Sequence, residues 1–155
     1  MLTDIIIDTN IFVHADTLKN SNRDSAIRFL STLKGKKTQL CVDEHYDFDD
    51  SSKNESFIVN EYLNHIGHGS FSFGILLYLL SKNRIIPKSR NVPPGVSKKI
   101  VNIIHDKKDR VFGKVAHNSI NKTIITHNSP HFPRDKLRTL SITVLDAQSC
   151  ISVLN

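Results

Sequence analysis

The stretch Ile5-Ile6-Ile7-Asp8-Thr9-Asn10 decides the architecture. Three successive β-branched residues with no polar alternation read as a fully buried strand, and the run stops at an acid. Outward from it, Ala26, Ile27, Phe29, Leu30 and Leu33 supply the apolar face of an amphipathic helix. Gly35, in Lys34-Gly35-Lys36, ends that helix as its C-cap. Thr38 to Val42 reads as a second strand, Thr123-Ile124-Ile125-Thr126 as a third and Ile142-Thr143-Val144-Leu145 as a fourth. Helical patterns fill Phe57 to about Lys82, with a break at Gly67-His68-Gly69, then Val96 to His105, Asp109 to Ser119 and Asp146 to Leu154. Residues 43–56 are polar and acidic and read as a mobile loop, and Arg84 to Gly95, rich in proline and basic residues, as a connection. Strands separated by helices need right-handed crossovers. The expectation is a single α/β domain over residues 1–155: three layers, α/β/α, around a mostly parallel sheet of four to five strands.

Composition narrows the function. Apolar residues are 39% and charged residues 23% of the chain, as in soluble globular proteins. The longest apolar run, Phe73 to Leu80, is too short to span a bilayer, so no membrane role is expected. Met1-Leu2-Thr3-Asp4 has an acid where a signal peptide needs a basic segment, and the expected location is cytoplasmic. Cys41 and Cys150 lie in apolar runs and read as small buried hydrophobes rather than a disulfide framework. His65 and His68 alone are too few ligands for a closed zinc site. The net charge is +6, and from Lys82 to Lys114 ten Lys and Arg residues face only Asp106 and Asp109. Clustered cations suit a polyanion, because binding releases the counterions condensed on phosphate; a solvated basic face fits the charge alone equally well.

In an open parallel sheet, ligands bind beyond the carboxyl ends of the strands. Asp8 falls there, directly after the first strand, and Asn128 falls just after the third. Asp109 opens the helix that runs back to that third strand, and Glu61, in Val59-Asn60-Glu61-Tyr62-Leu63, reaches the same mouth from its helix. Singly, Asp8 reads as well as a turn residue, Asp109 as a helix cap and Glu61 as a solvated charge. Jointly they suit a hard divalent cation, since converging carboxylates repel one another unless a cation sits between them.

Ile7-Asp8-Thr9-Asn10-Ile11-Phe12-Val13 resembles the opening strand and turn of PIN-domain nucleases. Asn60-Glu61-Tyr62 resembles their second acidic motif, Asp109-Arg110-Val111-Phe112 with Ala116 the third, and Ile125 to Phe132 the strand-end fourth. Ile142-Thr143-Val144-Leu145-Asp146 is similar to their last strand, so the resemblance runs essentially end to end. It implies an endoribonuclease acting on single-stranded RNA, with Mg²⁺ or Mn²⁺ held by Asp8, Glu61 and Asp109 and with Asn128 completing the catalytic set. Products with 5′-phosphate and 3′-hydroxyl ends are implied too. Many members carry an acid at the fourth motif; Asn128 offers an amide oxygen without charge, and Ser129 is the neighbouring alternative.

Asn10, Lys88, Arg90, Lys107, Lys108 and Arg110 are the expected substrate-binding residues, although Asn10 also suits a helix cap. Asp43 and Glu44 follow the second strand but rank below Glu61, Asp106 reads as a surface charge ahead of an auxiliary acid, and Asp146 as an N-cap. His127 and His131 fall near the proposed mouth as candidate RNA contacts, ranked below the residues above. A toxin or antiphage effector restrained by a regulatory protein or antitoxin fits the class, as does a homo-oligomer. The alternative is a PIN-like module that binds nucleic acid or protein without cutting. A structure-specific DNA nuclease ranks third, because 155 residues leave little room for the helices that grip duplex.

Overall fold

Strands β1 (Asp4–Ile7), β2 (Gln39–Asp43), β3 (Ile85–Lys88), β4 (Thr123–Ile125) and β5 (Thr143–Leu145) form one wholly parallel sheet, ordered β3-β2-β1-β4-β5. The computed structural model describes all of residues 1–155. Ile5, Ile6 and Ile7 are completely buried at the centre of the sheet, as a β-branched run covered on both faces should be. The connecting helices are α1 (Thr9–Asp16), α2 (Arg23–Lys34), α3 (Phe57–His65), α4 (Phe71–Ser81), α5 (Pro94–Ile103), α6 (Asp109–Asn118), α7 (Arg134–Leu137) and α8 (Ala147–Ile151). On one side α2 packs against α1, α4 and α8; on the other α6 crosses β1, β2 and β4 and carries α5. The result is the expected α/β/α layering, and no helix is long and apolar enough to cross a membrane.

Local chemistry explains most boundaries. Ser56 and Ser70 cap α3 and α4 by accepting from the N–H groups of Val59 and Phe73, each at 3.1 Å, on either side of the expected glycine break. Asp146 caps α8 through the Ser149 N–H at 2.7 Å. That closing helix is shorter than the pattern suggests; it ends at Ile151, and Leu154 instead bridges to Leu2. Gly35 does end α2, but with φ −82 rather than a left-handed turn. Gly113, buried on α6, is where Ile104 docks, since a Cβ there would stand 2.9 Å from Ile104 Cδ1.

Two expectations need correction, and one helix lies in a stretch that the patterns left unassigned. Thr9 to Asp16 is a helix, because Ile11, Phe12 and Ala15 bury one face of it directly after the strand. The Arg84–Gly95 connection contains the edge strand β3. Pro87 is tolerated there because Leu40 N–H bonds Arg84 O at 2.8 Å, which sets the even-numbered residues of β3 toward β2 and turns Pro87 outward. The acidic loop is tied down rather than free. Asp47 accepts from the N–H groups of Asp49 and Asp50, Asn54 accepts from Asp47 N–H, and Tyr46 Oη donates to Ile85 O at 3.1 Å.

Candidate functional site

β1, β2 and β3 succeed one another toward one edge, and β4 and β5 toward the other, so the order reverses between β1 and β4. Ligand crevices of open parallel sheets lie at such a point, beyond the strand carboxyl ends. Ile7 pairs with Ile125 there, and the next residue, Asp8, donates its N–H to Ile125 O at 2.9 Å. The Asp8 carboxylate, only 7% exposed, accepts from Thr126 Oγ1 at 2.7 Å.

Asp109 opens α6 and Glu61 lies midway along α3, both half-buried. Burial raises the Asp8 carboxyl from 3.8 to about 6, against the lowering hydrogen bond from Thr126, and the negative charge of Asp109 adds to the rise. Burial also raises Asp109, as do the charges of Asp106 and Glu61, while its hydrogen bond with His131 lowers it. Asp109 therefore lies within electrostatic reach of Asp8, Glu61 and Asp106, but only Asp106, Asp109 and His131 bring donor atoms within 4.8 Å of one another; Asp8 and Glu61 stand outside that set. Among Asp8, Glu61, Asp106 and Asp109, none is within ion-pair distance of a Lys or Arg; Glu61 meets His65 at 3.4 Å and Asp109 meets His131 at 2.8 Å.

The other two buried acids differ in kind. Asp4 accepts from the N–H groups of Ile120 and Asn121, both at 2.8 Å, and so fastens the turn before β4. Asp43 accepts from Ser56 Oγ at 2.6 Å and from the N–H groups of Phe57 and Ile58 at 2.7 and 2.9 Å, which satisfies the start of α3. Fixed donors leave these two carboxylates structural. Asp8 accepts from Thr126 and Asn10 and Asp109 pairs with His131, but both also face further negative charge, a donor arrangement that fits a divalent cation.

The remaining expected residues divide. The Asn10 side chain accepts from His127 N–H at 3.4 Å, which ties α1 to the loop after β4. Asn128 is held through its backbone: its N–H donates to Thr126 Oγ1 at 2.9 Å, and its carbonyl accepts from His131 and Phe132. Arg90 Nε lies 3.5 Å from buried Asp43, and Arg110 donates to the carbonyls of Ile104 and His105, closing the turn between α5 and α6. Lys88 ends β3 at the same end of the sheet, half-buried, and Lys107 and Lys108 stand exposed beside Asp106 and Asp109. These three lysines make no ion pair. His127 turns away from the acids toward His14, with Nδ1 atoms 2.9 Å apart and near-parallel rings.

None of the recesses in the surface encloses the carboxylates. The nearest, about 270 Å³, shares only Thr126 and the loop after it, and is completed by Asn22, Arg134 and Asp146. Sequence patterns offered His131 only as an RNA contact and ranked Asp106 as a surface charge ahead of an auxiliary acid. Only the position of Asp106 three residues before Asp109 hinted at the cluster. No protein-family model matches the chain, and no curated protein does either.

Proposed function

We propose that this chain is a metal-dependent endoribonuclease for single-stranded RNA, with Mg²⁺ or Mn²⁺ held by Asp8, Glu61 and Asp109, as its resemblance to PIN-domain nucleases implies. The observation that supports this reading is Asp109 within electrostatic reach of Asp8, Glu61 and Asp106, none of the four paired with Lys or Arg, with Asp8 at the point where the strand order reverses. When bound, such an ion would acidify a water and offset the charge developing on the scissile phosphate. The chain's own residues supply the frame for that chemistry. Thr126 Oγ1 orients Asp8, and the same oxygen takes the Asn128 N–H, so strand end and loop are locked together. Lys107 and Lys108, free of protein partners, are the cations available to hold an RNA backbone beside Asp109.

The test is cleavage of a varied set of single-stranded RNAs with Mg²⁺ or Mn²⁺, with and without EDTA. The expected result is metal-dependent cleavage leaving 5′-phosphate and 3′-hydroxyl ends, abolished by the chelator. Folded protein that binds these RNAs but never cuts them would establish the binding module instead, the reading that the uncharged Asn128 favours.

Charge neutralisation at the rim gives a separate expectation. Lys107→Ala and Lys108→Ala should each weaken binding to all RNA sequences alike and reduce the slope of log affinity against log salt by about one. Arg110→Ala should instead lower the melting temperature, since its guanidinium closes a turn. Unchanged salt slopes in both lysine variants would make this face mere solvated surface.

A further inference from the structure

We infer that His131 is a direct nitrogen ligand of the cation at Asp109, with Asp106 as the flanking oxygen donor, so that the site prefers nitrogen-accepting ions such as Mn²⁺ over Mg²⁺. This rests on the metal-dependent reading above and deepens it by assigning the ion and one further ligand.

His131 Nδ1 lies 2.8 Å from Asp109 Oδ2, and donor atoms of Asp106, Asp109 and His131 all fall within 4.8 Å of one another. Around an octahedral ion with ligands at roughly 2.1 Å, neighbouring donors stand about 3 Å apart and opposite ones about 4.2 Å. The three groups are therefore spaced to share one ion after small rotations. One Asp106 oxygen takes the Lys108 N–H at 2.9 Å, which holds the carboxylate in place and leaves its second oxygen available.

The imidazole is positioned by the core rather than left to wander on the surface. Its neighbour Phe132 is fully buried and packs edge-on to Phe112, with ring centroids 6.3 Å apart. Phe112 lies three residues after Asp109, on the same face of α6, so one apolar contact sets both members of the pair. His131 N–H further bonds Asn128 O at 3.2 Å. The loop that carries an uncharged amide at Asn128 thus offers a nitrogen donor three residues later.

The competing account is a plain ion pair between imidazolium and Asp109. One imidazolium sets a single positive charge against Asp8, Asp106 and Asp109, whereas a divalent cation sets two. Mg²⁺ favours oxygen ligands and retains its waters, whereas first-row transition ions, Mn²⁺ the weakest binder among them, accept imidazole beside carboxylate.

The experiment uses the full chain and Mn²⁺ or Mg²⁺ alone. Pulsed EPR of the Mn²⁺-loaded protein should show coupling to a bound ¹⁴N that is lost in His131→Ala. Calorimetric titration should show Mn²⁺ affinity falling tenfold or more in that variant, with Mg²⁺ affinity changed less than threefold. Asp106→Asn should weaken Mn²⁺ binding in the same direction. Absence of nitrogen coupling, its persistence in His131→Ala, or Mn²⁺ binding as tight in the variant as in wild type would overturn the ligand assignment and leave the nuclease reading standing. Failure of wild type to bind either ion would overturn both. Should His131→Ala not fold, the wild-type signal is compared with that of His131→Gln, which keeps the bulk and removes the ring.

Discussion

Asp109→Asn should reduce RNA cleavage by more than the roughly 10–100-fold that outer-shell changes around a metal cost, while the metal-free protein melts no lower than wild type. The amide keeps the shape of the carboxylate and removes one of several converging charges. Asp8→Asn should do the same with a larger gain in stability, because Asp8 is the more buried acid. Its folded carboxyl sits near 6 against an ordinary 3.8, so the folded protein binds this proton more tightly than the unfolded chain. The stabilisation from that proton is complete below about pH 4 and is lost as pH rises through about 6. At 1.36 kcal/mol per unit, the two-unit difference is on the order of 3 kcal/mol. Melting curves in EDTA at pH 4.5 and 7 should therefore show wild type losing stability relative to Asp8→Asn as pH rises. Adding Mn²⁺ at pH 7 should restore wild type but not the variant. Full cleavage by Asp109→Asn would sink the metal-nuclease reading, and parallel pH profiles for wild type and Asp8→Asn would remove the electrostatic account of Asp8.

Arg84→Ala should be the most destabilising change among the basic residues. The buried guanidinium donates from Nη2 to Leu33 O and Thr38 O at 2.7 and 2.6 Å, from Nη1 to Lys34 O at 3.1 Å and from Nε to Thr38 O at 3.2 Å. It thereby satisfies carbonyls at the end of α2 and the entry to β2. Leaving these acceptors without a donor should cost about 3 kcal/mol, which corresponds to a fall in melting temperature of roughly 6–12 °C at this chain length. Arg84→Lys should recover only part, since an ammonium cannot reproduce the planar fork. A melting temperature for Arg84→Ala within a degree of wild type would show that water replaces the guanidinium without cost.

Arg84 also marks where sequence patterning stops. It counts there as one more cation in a basic stretch, because the carbonyls it serves belong to residues about fifty positions earlier. The strands at Ile5–Ile7 and Thr123–Ile125 were legible because buried β-branched runs have few other uses. β3 was not, since Pro87 normally argues against a strand and only its outward-facing place on an edge permits it. Helix α1 was hidden by Thr9 and Asn10, whose polar side chains suit a turn as well as a first helical turn. Among the acids, position after a strand marked Asp8 but marked Asp43 equally. What separates them is the Ser56, Phe57 and Ile58 donors that close on Asp43 from across a loop. The approach of His131 to Asp109 spans 22 residues and depends on Phe132 meeting Phe112, a packing event with no local signature.

The outward side of β3 bears on how this protein can meet others. A sheet edge normally exposes a row of N–H and C=O groups on which a foreign strand can template itself. Here Pro87 has no N–H to offer, and the Ile85 carbonyl already takes the Tyr46 hydroxyl. At the opposite edge β5 is only three residues long. Neither border presents the ladder that β-augmentation requires. A protein that associates with this chain must therefore read side chains and helix surfaces, and runaway edge-to-edge stacking into fibrils is blocked at the β3 border by one ring and one phenol.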